Sequence, residues 1–173
     1  SLLTLSVATA KSLLKFASSD KNQPHIYGIG ITENGLAATD GFSCVEFFLP
    51  GAESMKHQAG RTIDRKLFET SMKLCAVTKS AMVVNEKDLL PEQKSFPNLS
   101  TVTPSVNRQP LLPGTDVFTG ELRLVPEYLA LLALVSIACE TDYVTLGNIK
   151  VGSPVRFDVV GPEQRAIVLI NHL

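Results

Sequence analysis

The residues of this chain that are able to do chemistry are few and scattered. His25, His57 and His172 show no ligand spacing and have no cysteine or carboxylate cluster beside them, so no metal site is expected. Gly28-Ile29-Gly30 lacks the third glycine of a dinucleotide fingerprint and lies within a strand-like run. Gly41-Phe42-Ser43-Cys44-Val45 lacks the closing glycine of a nucleophile elbow. Asp40 and Asp64 stand where a turn and a helix cap want a short acceptor, which explains them better than catalysis does. No nucleophile, base and orienting group can be assembled, so the sequence predicts no enzyme and no cofactor. The cationic side chains remain: Lys11 and Lys15 with Lys21 beyond them, then Arg65, Lys66 and Lys73. These are either the solvated faces of two amphipathic helices or point charges for a phosphate backbone, whose recognition needs no base readout.

The elements that must position these residues follow from periodicity. Leu3 and Leu5 open a strand, and Ser6 caps a helix to about Ser18 with Val7, Ala10, Leu13, Leu14 and Ala17 on one face. His25 to Thr32 reads as a strand, Glu33-Asn34-Gly35 as a hairpin turn and Leu36 to Thr39 as the return. Asp40-Gly41 turns into a strand from Phe42 to Leu49, and Ala52 to Gly60 reads as polar and mobile. Asp64 caps a second helix with apolar positions Leu67, Phe68, Met72, Leu74 and Cys75, and Ala81 to Asn85 reads as a strand. From Glu86 to Thr119 prolines 91, 97, 104, 110 and 113 break all periodicity, which marks a long connection at about 86–118.

Phe118 to Val125 resumes as a strand, Pro126 fits a first helical position, and Glu127 to Glu140 forms a helix that is apolar almost all round. Leu129, Leu132, Leu134, Val135 and Ile137 span too wide an arc for one exposed face, so burial in the core or at a subunit contact is expected. Tyr143 to Ile149, Val155 to Val160 and Ala166 to Ile170 complete the chain as strands. Strand–helix–three strands thus recurs in Leu3–Leu49, in a truncated Thr62–Asn85 and in Phe118–Ile170. The prediction is an α+β fold, with helices on one face of mainly antiparallel sheet.

Bulk composition fits a single domain over residues 1–173. Of these, 45% are hydrophobic, enough for one solid core. The formal net charge of −1 argues against a uniformly basic nucleic-acid surface, though not against a local basic face. No Trp and 6% aromatics argue against a base-stacking platform. Cys44, Cys75 and Cys139 are odd in number and lie in apolar runs, so they read as buried, reduced thiols of a cytoplasmic protein. The start, Ser1-Leu2-Leu3-Thr4-Leu5, reads as no signal peptide, and the apolar run Tyr128–Cys139 falls short of the roughly 20 residues that span a bilayer, so no membrane partner is expected.

Two segments and the C-terminal strand carry a further reading. Gly35-Leu36-Ala37-Ala38-Thr39-Asp40-Gly41, then Phe96-Pro97-Asn98-Leu99-Ser100-Thr101-Val102-Thr103-Pro104, then Ala166-Ile167-Val168-Leu169-Ile170 occur in an order that resembles the bacterial DNA polymerase III β subunit, the sliding clamp family. Pro24–Ile29, Val45–Pro50, Arg61–Lys66 and the tail from Glu121 are similar to that family as well. The resemblance implies a single, shortened clamp-like domain, in one form phage-derived, built from repeated βαβββ units. It implies a non-catalytic DNA replication or repair factor whose partners are double-stranded DNA, a DNA polymerase or other clamp-binding peptide, and further copies of itself as a homo-oligomer.

Carried over position by position, the peptide-binding pocket would be lined by Ile26, Thr39, Gly41, Phe42, Pro97, Val102, Ile167 and Leu169. The DNA-facing residues would be Lys11, Lys15, Lys21, Arg65, Lys66 and Lys73, whereas the helix from Pro126, which has no Lys or Arg, would not face DNA. Where the family carries His-Arg-Leu after its turn, this chain has Phe42-Ser43-Cys44, which removes a basic and a polar contact. Two other readings stay open: a protein-interaction module that keeps the fold without encircling DNA, and an enzyme on an unrelated α+β fold.

Overall fold

A computed structural model describes residues 3–92, 95–99, 121–147 and 153–173. Strand β1 (Leu3–Leu5) leads into helix α1 (Val7–Phe16), whose cap Ser6 accepts the Thr9 amide at 3.1 Å. That bond satisfies one of the donors a helix start leaves unpaired. A single helical turn, α2 (Pro24–Tyr27), stands where a strand from His25 was expected. Pro24 at the first helical position accounts for the turn, and strand β2 is confined to Ile29–Ile31. Strands β3 (Gly35–Thr39) and β4 (Ser43–Phe48) follow as a meander.

Residues Ala52–Gln58 form a 3-10 helix rather than a mobile polar segment, because Met55 is fully buried and anchors it. Strand β5 (Thr62–Ile63) precedes helix α3 (Arg65–Thr78), capped by Asp64 accepting the Leu67 amide at 3.0 Å. Strand β6 (Met82–Val84) pairs with β1 as a separate two-stranded sheet. Residues Glu121–Val125 are not a strand, and Phe118–Gly120, like Asn148 and Ile149, lie outside the described residues. Helix α4 (Pro126–Cys139), then β7 (Thr145–Leu146), β8 (Val155–Val160) and β9 (Arg165–Ile170), complete the described chain.

The protein is mixed α/β with two antiparallel sheets. The larger has the order β5-β2-β3-β4-β9-β8-β7. Two three-stranded meanders meet through their last strands, with Ser43 opposite Ile170 and Phe48 opposite Arg165. Helix α1 packs over β3 and β4, α4 packs over β8 and β9, and the two helices lie side by side. The segment Thr62–Asn85 is not a unit with its own sheet: β5 extends the large sheet beyond β2, and β6 joins β1.

Period-two alternation assigns the inner face of this sheet. Ile29, Ile31, Leu36, Ala38, Val45, Phe47, Val155, Phe157, Val159, Val168 and Ile170 point to the helices and merge with Leu13, Phe16, Phe68, Leu132 and Val135 in one core. Each large side chain so buried is worth about 1.5–3 kcal/mol. The second helix does not bury all its expected apolar positions. Phe68 and Met72 face inward, but Leu67 and Leu74 are exposed, the latter by 63%. Of the apolar positions on α4, Leu132 and Val135 are buried while Leu129 and Ile137 are exposed.

Candidate peptide-binding face

The opposite face of the sheet is built differently. Ala37, Cys44, Ile167 and Leu169 form a small apolar row, and Phe96 and Leu99 from the segment after β6 pack onto it. Gly30 makes room for this: a Cβ there would run into the Phe96 ring. The Phe96 amide also donates to the Gly60 carbonyl at 2.8 Å, which ties the segment to the sheet margin. Ile167 and Leu169 are consequently buried, beneath the chain's own Phe96 and Leu99.

Beside the row, the same face carries charge. On β8, Arg156 donates through Nε and Nη2 to the two carboxylate oxygens of Asp158, at 3.0 and 3.3 Å, both residues being buried. Such a two-point contact offsets part of the cost of removing both charges from water. Asn34 Nδ2 donates to Glu46 at 3.4 Å. The Arg165 guanidinium lies 3.9 Å from the centre of the Phe48 ring, and burial lowers its pKa. Phe48 and Arg165 border a cavity of about 800 Å³ that also takes in Glu53, Lys56 and Glu163.

At one end of the row the β3–β4 turn is held by Asp40. Its Oδ1 accepts the Phe42 amide at 2.8 Å, the Ser43 amide at 2.9 Å and the Ser43 hydroxyl at 3.3 Å. Its Oδ2 accepts the Tyr128 hydroxyl of α4 at 2.7 Å. Burial first, then this bond and the negative charges of Asp40 and Glu127, push the Tyr128 hydroxyl up to about 12. Thr39 Oγ1 donates to the Ser43 carbonyl at 2.7 Å and accepts the Gly41 amide at 3.1 Å. Gly41 has φ +95°, a left-handed conformation that a side chain would strain. The Asn171 amide donates to the Phe42 carbonyl at 2.9 Å. The result is a stiff turn whose tip projects the Phe42 ring, 67% exposed, into solvent.

The residues expected to line a peptide pocket are thus partly gathered. Thr39 faces Cys44, and Cys44 faces Leu169, so Thr39, Leu169 and Ile167 share one face, with Gly41 and Phe42 on the turn at its end. Ile26 is buried behind that turn: the Ser18 amide donates to both the Ile26 and Thr39 carbonyls, at 3.0 and 3.1 Å. Pro97 lies elsewhere, in a cavity of about 440 Å³ with Thr32 and Glu33 at the far end of the β2–β3 hairpin. Val102, with the rest of Thr101–Pro104, lies outside the described residues.

The expected DNA-facing set divides too. Lys11 and Lys15 are exposed on α1, Lys21 follows the helix, and Lys66 is exposed on α3. Arg65 is turned inward. Its guanidinium donates to the carbonyls of Ser18 at 3.0 Å and Tyr27 at 3.1 Å and sits 4.8 Å from the Tyr27 ring centre. It closes the end of α1 against α3 and is not available to a phosphate. Lys73 pairs with Glu69 one turn away at 3.1 Å.

Among the described residues no three His, Cys, Asp or Glu side chains gather into a metal-holding group. Cys44 and Cys139 are buried thiols outside any disulfide, and burial pushes Cys139 up to about 11. Cys75 is free and half-buried. Among the described residues no helix is long and apolar enough to cross a membrane. The Arg156–Asp158 pair and the plug of Phe96 and Leu99 were not foreseen, although the alternation of Val155-Arg156-Phe157-Asp158-Val159 contains the signal for a charged second face. No protein-family model, curated protein or solved structure matches the chain.

Proposed function

We propose that this chain is a non-catalytic, clamp-like interaction module, an accessory factor of DNA replication or repair that holds an extended, Leu- or Phe-bearing peptide of a polymerase-type partner on the outer face of its sheet. The observation that carries this reading is Phe42: a large aromatic left in solvent on a turn braced by Asp40, beside the apolar row of Ile167 and Leu169. A partner peptide would have to displace the chain's own Phe96 and Leu99 from the row, and Phe42 at its end supplies the kind of exposed aromatic contact that anchors a binding hot spot. The chain's own Phe96 and Leu99, three residues apart, illustrate the ligand that such a row accepts. Two meanders joined through β4 and β9, each with a helix over it, suit the repeated βαβββ plan of the clamp resemblance.

A second reading adds double-stranded DNA. Lys11, Lys15 and Lys21 are exposed and make no ion pair among the described residues. The two readings separate by salt. Titration of a fluorescent Leu/Phe peptide should give saturable binding that salt barely changes. DNA binding should weaken steeply, with a log–log slope of about −0.9 for each phosphate contact. Saturable, salt-insensitive peptide binding supports the module, and a peptide that fails to bind removes it.

A further inference from the structure

The apolar row on the outer face already has an occupant. Ala37, Cys44, Ile167 and Leu169 form with Phe96 and Leu99 a cluster separate from the main core, which lies on the other side of the sheet. Lifting Phe96 and Leu99 would therefore uncover the row and leave the core closed, the condition for a local opening that costs less than global unfolding. The seat itself belongs to the sheet, because Gly30 is the gap in β2 that admits the Phe96 ring. The fit is incomplete in two places. Thr62 stands opposite Gly30 on the same face, and its buried hydroxyl has no hydrogen-bond partner among the described residues. A buried hydroxyl left unpaired is a cost that the closed arrangement carries and another occupant can relieve. Phe96 to Leu99 also border the cavity of about 440 Å³ at the β2–β3 hairpin, so the segment has open space beside it.

We propose that Phe96–Leu99 is an autoinhibitory pseudo-ligand, and that a partner peptide with a Phe and a Leu three residues apart takes the same seats once the segment lifts. The inference rests on the peptide-binding reading and adds its regulation. A peptide reaches only those molecules whose segment is lifted, so the apparent affinity is the intrinsic one reduced by that fraction. The segment is tethered to the sheet it covers, and this high effective concentration lets it compete even where its contacts are poorer than the partner's. Cys44 reports the opening directly. It lies in the cluster covered by the segment, whereas Cys139 is buried in the main core.

The test removes the occupant. Phe96→Ala with Leu99→Ala should bind a fluorescent peptide carrying Phe and Leu three residues apart about tenfold more tightly than the parent, or better. In that variant Cys44 should react with a maleimide about tenfold faster than in the parent, or better. Saturating peptide should slow the reaction again, because it covers the thiol that the segment no longer covers. Continued protection of Cys139, read by mass mapping of the same samples, shows the core to be intact. Should the double variant lose that protection, Leu99→Ala alone makes the same test, with a smaller gain in both quantities. Equal affinities for parent and variant overturn the inference and leave the peptide reading standing. Weaker binding by the variant also overturns it, by making Phe96 and Leu99 part of the surface that holds the peptide. So does a Cys44 that labels no faster in the variant or that the peptide fails to protect. Binding by neither protein removes the peptide reading, and this inference with it.

Discussion

The two faces of the large sheet are made by the same strands, yet they solve different problems. The inner face carries Val45, Phe47, Phe157 and Val168, large side chains fully enclosed by α1 and α4. The outer face alternates with it residue by residue and carries Gly30, Ala37, Cys44, Glu46, Arg156 and Asp158, small or charged groups with a narrow apolar row between them. Because strand side chains have a period of two, neither face can change register without exchanging places with the other. The inner face supplies stability through packed volume. The outer face holds less packed volume and instead buries a paired charge and a narrow apolar row covered by Phe96 and Leu99.

If the faces differ in this way, the largest loss should come from the inner one. Phe47→Ala should cost about 3–5 kcal/mol in urea unfolding, the range for emptying a packed aromatic site. A loss below about 1 kcal/mol would mean that the core closes around the gap. On the outer face, Asp158→Ala should cost a similar 3–5 kcal/mol by leaving Arg156 charged in a buried site. The paired change Arg156→Met with Asp158→Leu should recover most of that loss, since what is costly is the broken pair. No such rescue exists for Phe47, and that asymmetry distinguishes the faces.

The link between helix and turn should be weaker and sensitive to pH. Tyr128→Phe removes a hydrogen bond to the Asp40 carboxylate and should cost about 1–3 kcal/mol. In the folded protein Tyr128 keeps its proton to about 12, above its ordinary value of 10.0. Its contribution is therefore complete below pH 10.0 and is lost as pH rises toward 12, since the unfolded chain gives up the proton first. Unfolding curves followed through that window should fall for the parent and flatten for Tyr128→Phe. Parallel curves would show that another group sets the alkaline limit.

Much of the fold was legible because local rules and burial agree in it. Ser6 and Asp64 as caps, Pro126 at a helix start, and the strands Val155–Val160 and Arg165–Ile170 follow from capping and alternation alone. The misreadings have physical causes. Alternation from His25 concealed a helical turn set by Pro24, and the polar run after Gly51 concealed Met55, a single buried anchor. Leu67 and Leu74 match a core-facing period, but Phe68 and Met72 are the positions buried in the core, with Cys75 packed against it. The Thr39–Phe42 turn could be read because Asx chemistry is local. The covering of Ile167 and Leu169 by Phe96 and Leu99 could not, since it joins residues some 70 positions apart with no local signal.

The smallest effect on stability should accompany the largest effect on function. Phe42→Ala changes a side chain that is mostly in solvent and should shift stability by no more than about 0.5 kcal/mol. The decisive measurement is an anisotropy titration of a fluorescent Leu/Phe peptide against the parent, Phe42→Ala, and Lys11→Ala with Lys15→Ala. Recognition by the outer face predicts that Phe42→Ala weakens binding by about 2 kcal/mol, roughly thirtyfold, while the lysine variant binds as the parent does. Binding unchanged by Phe42→Ala, or lost with the two lysines, would contradict it.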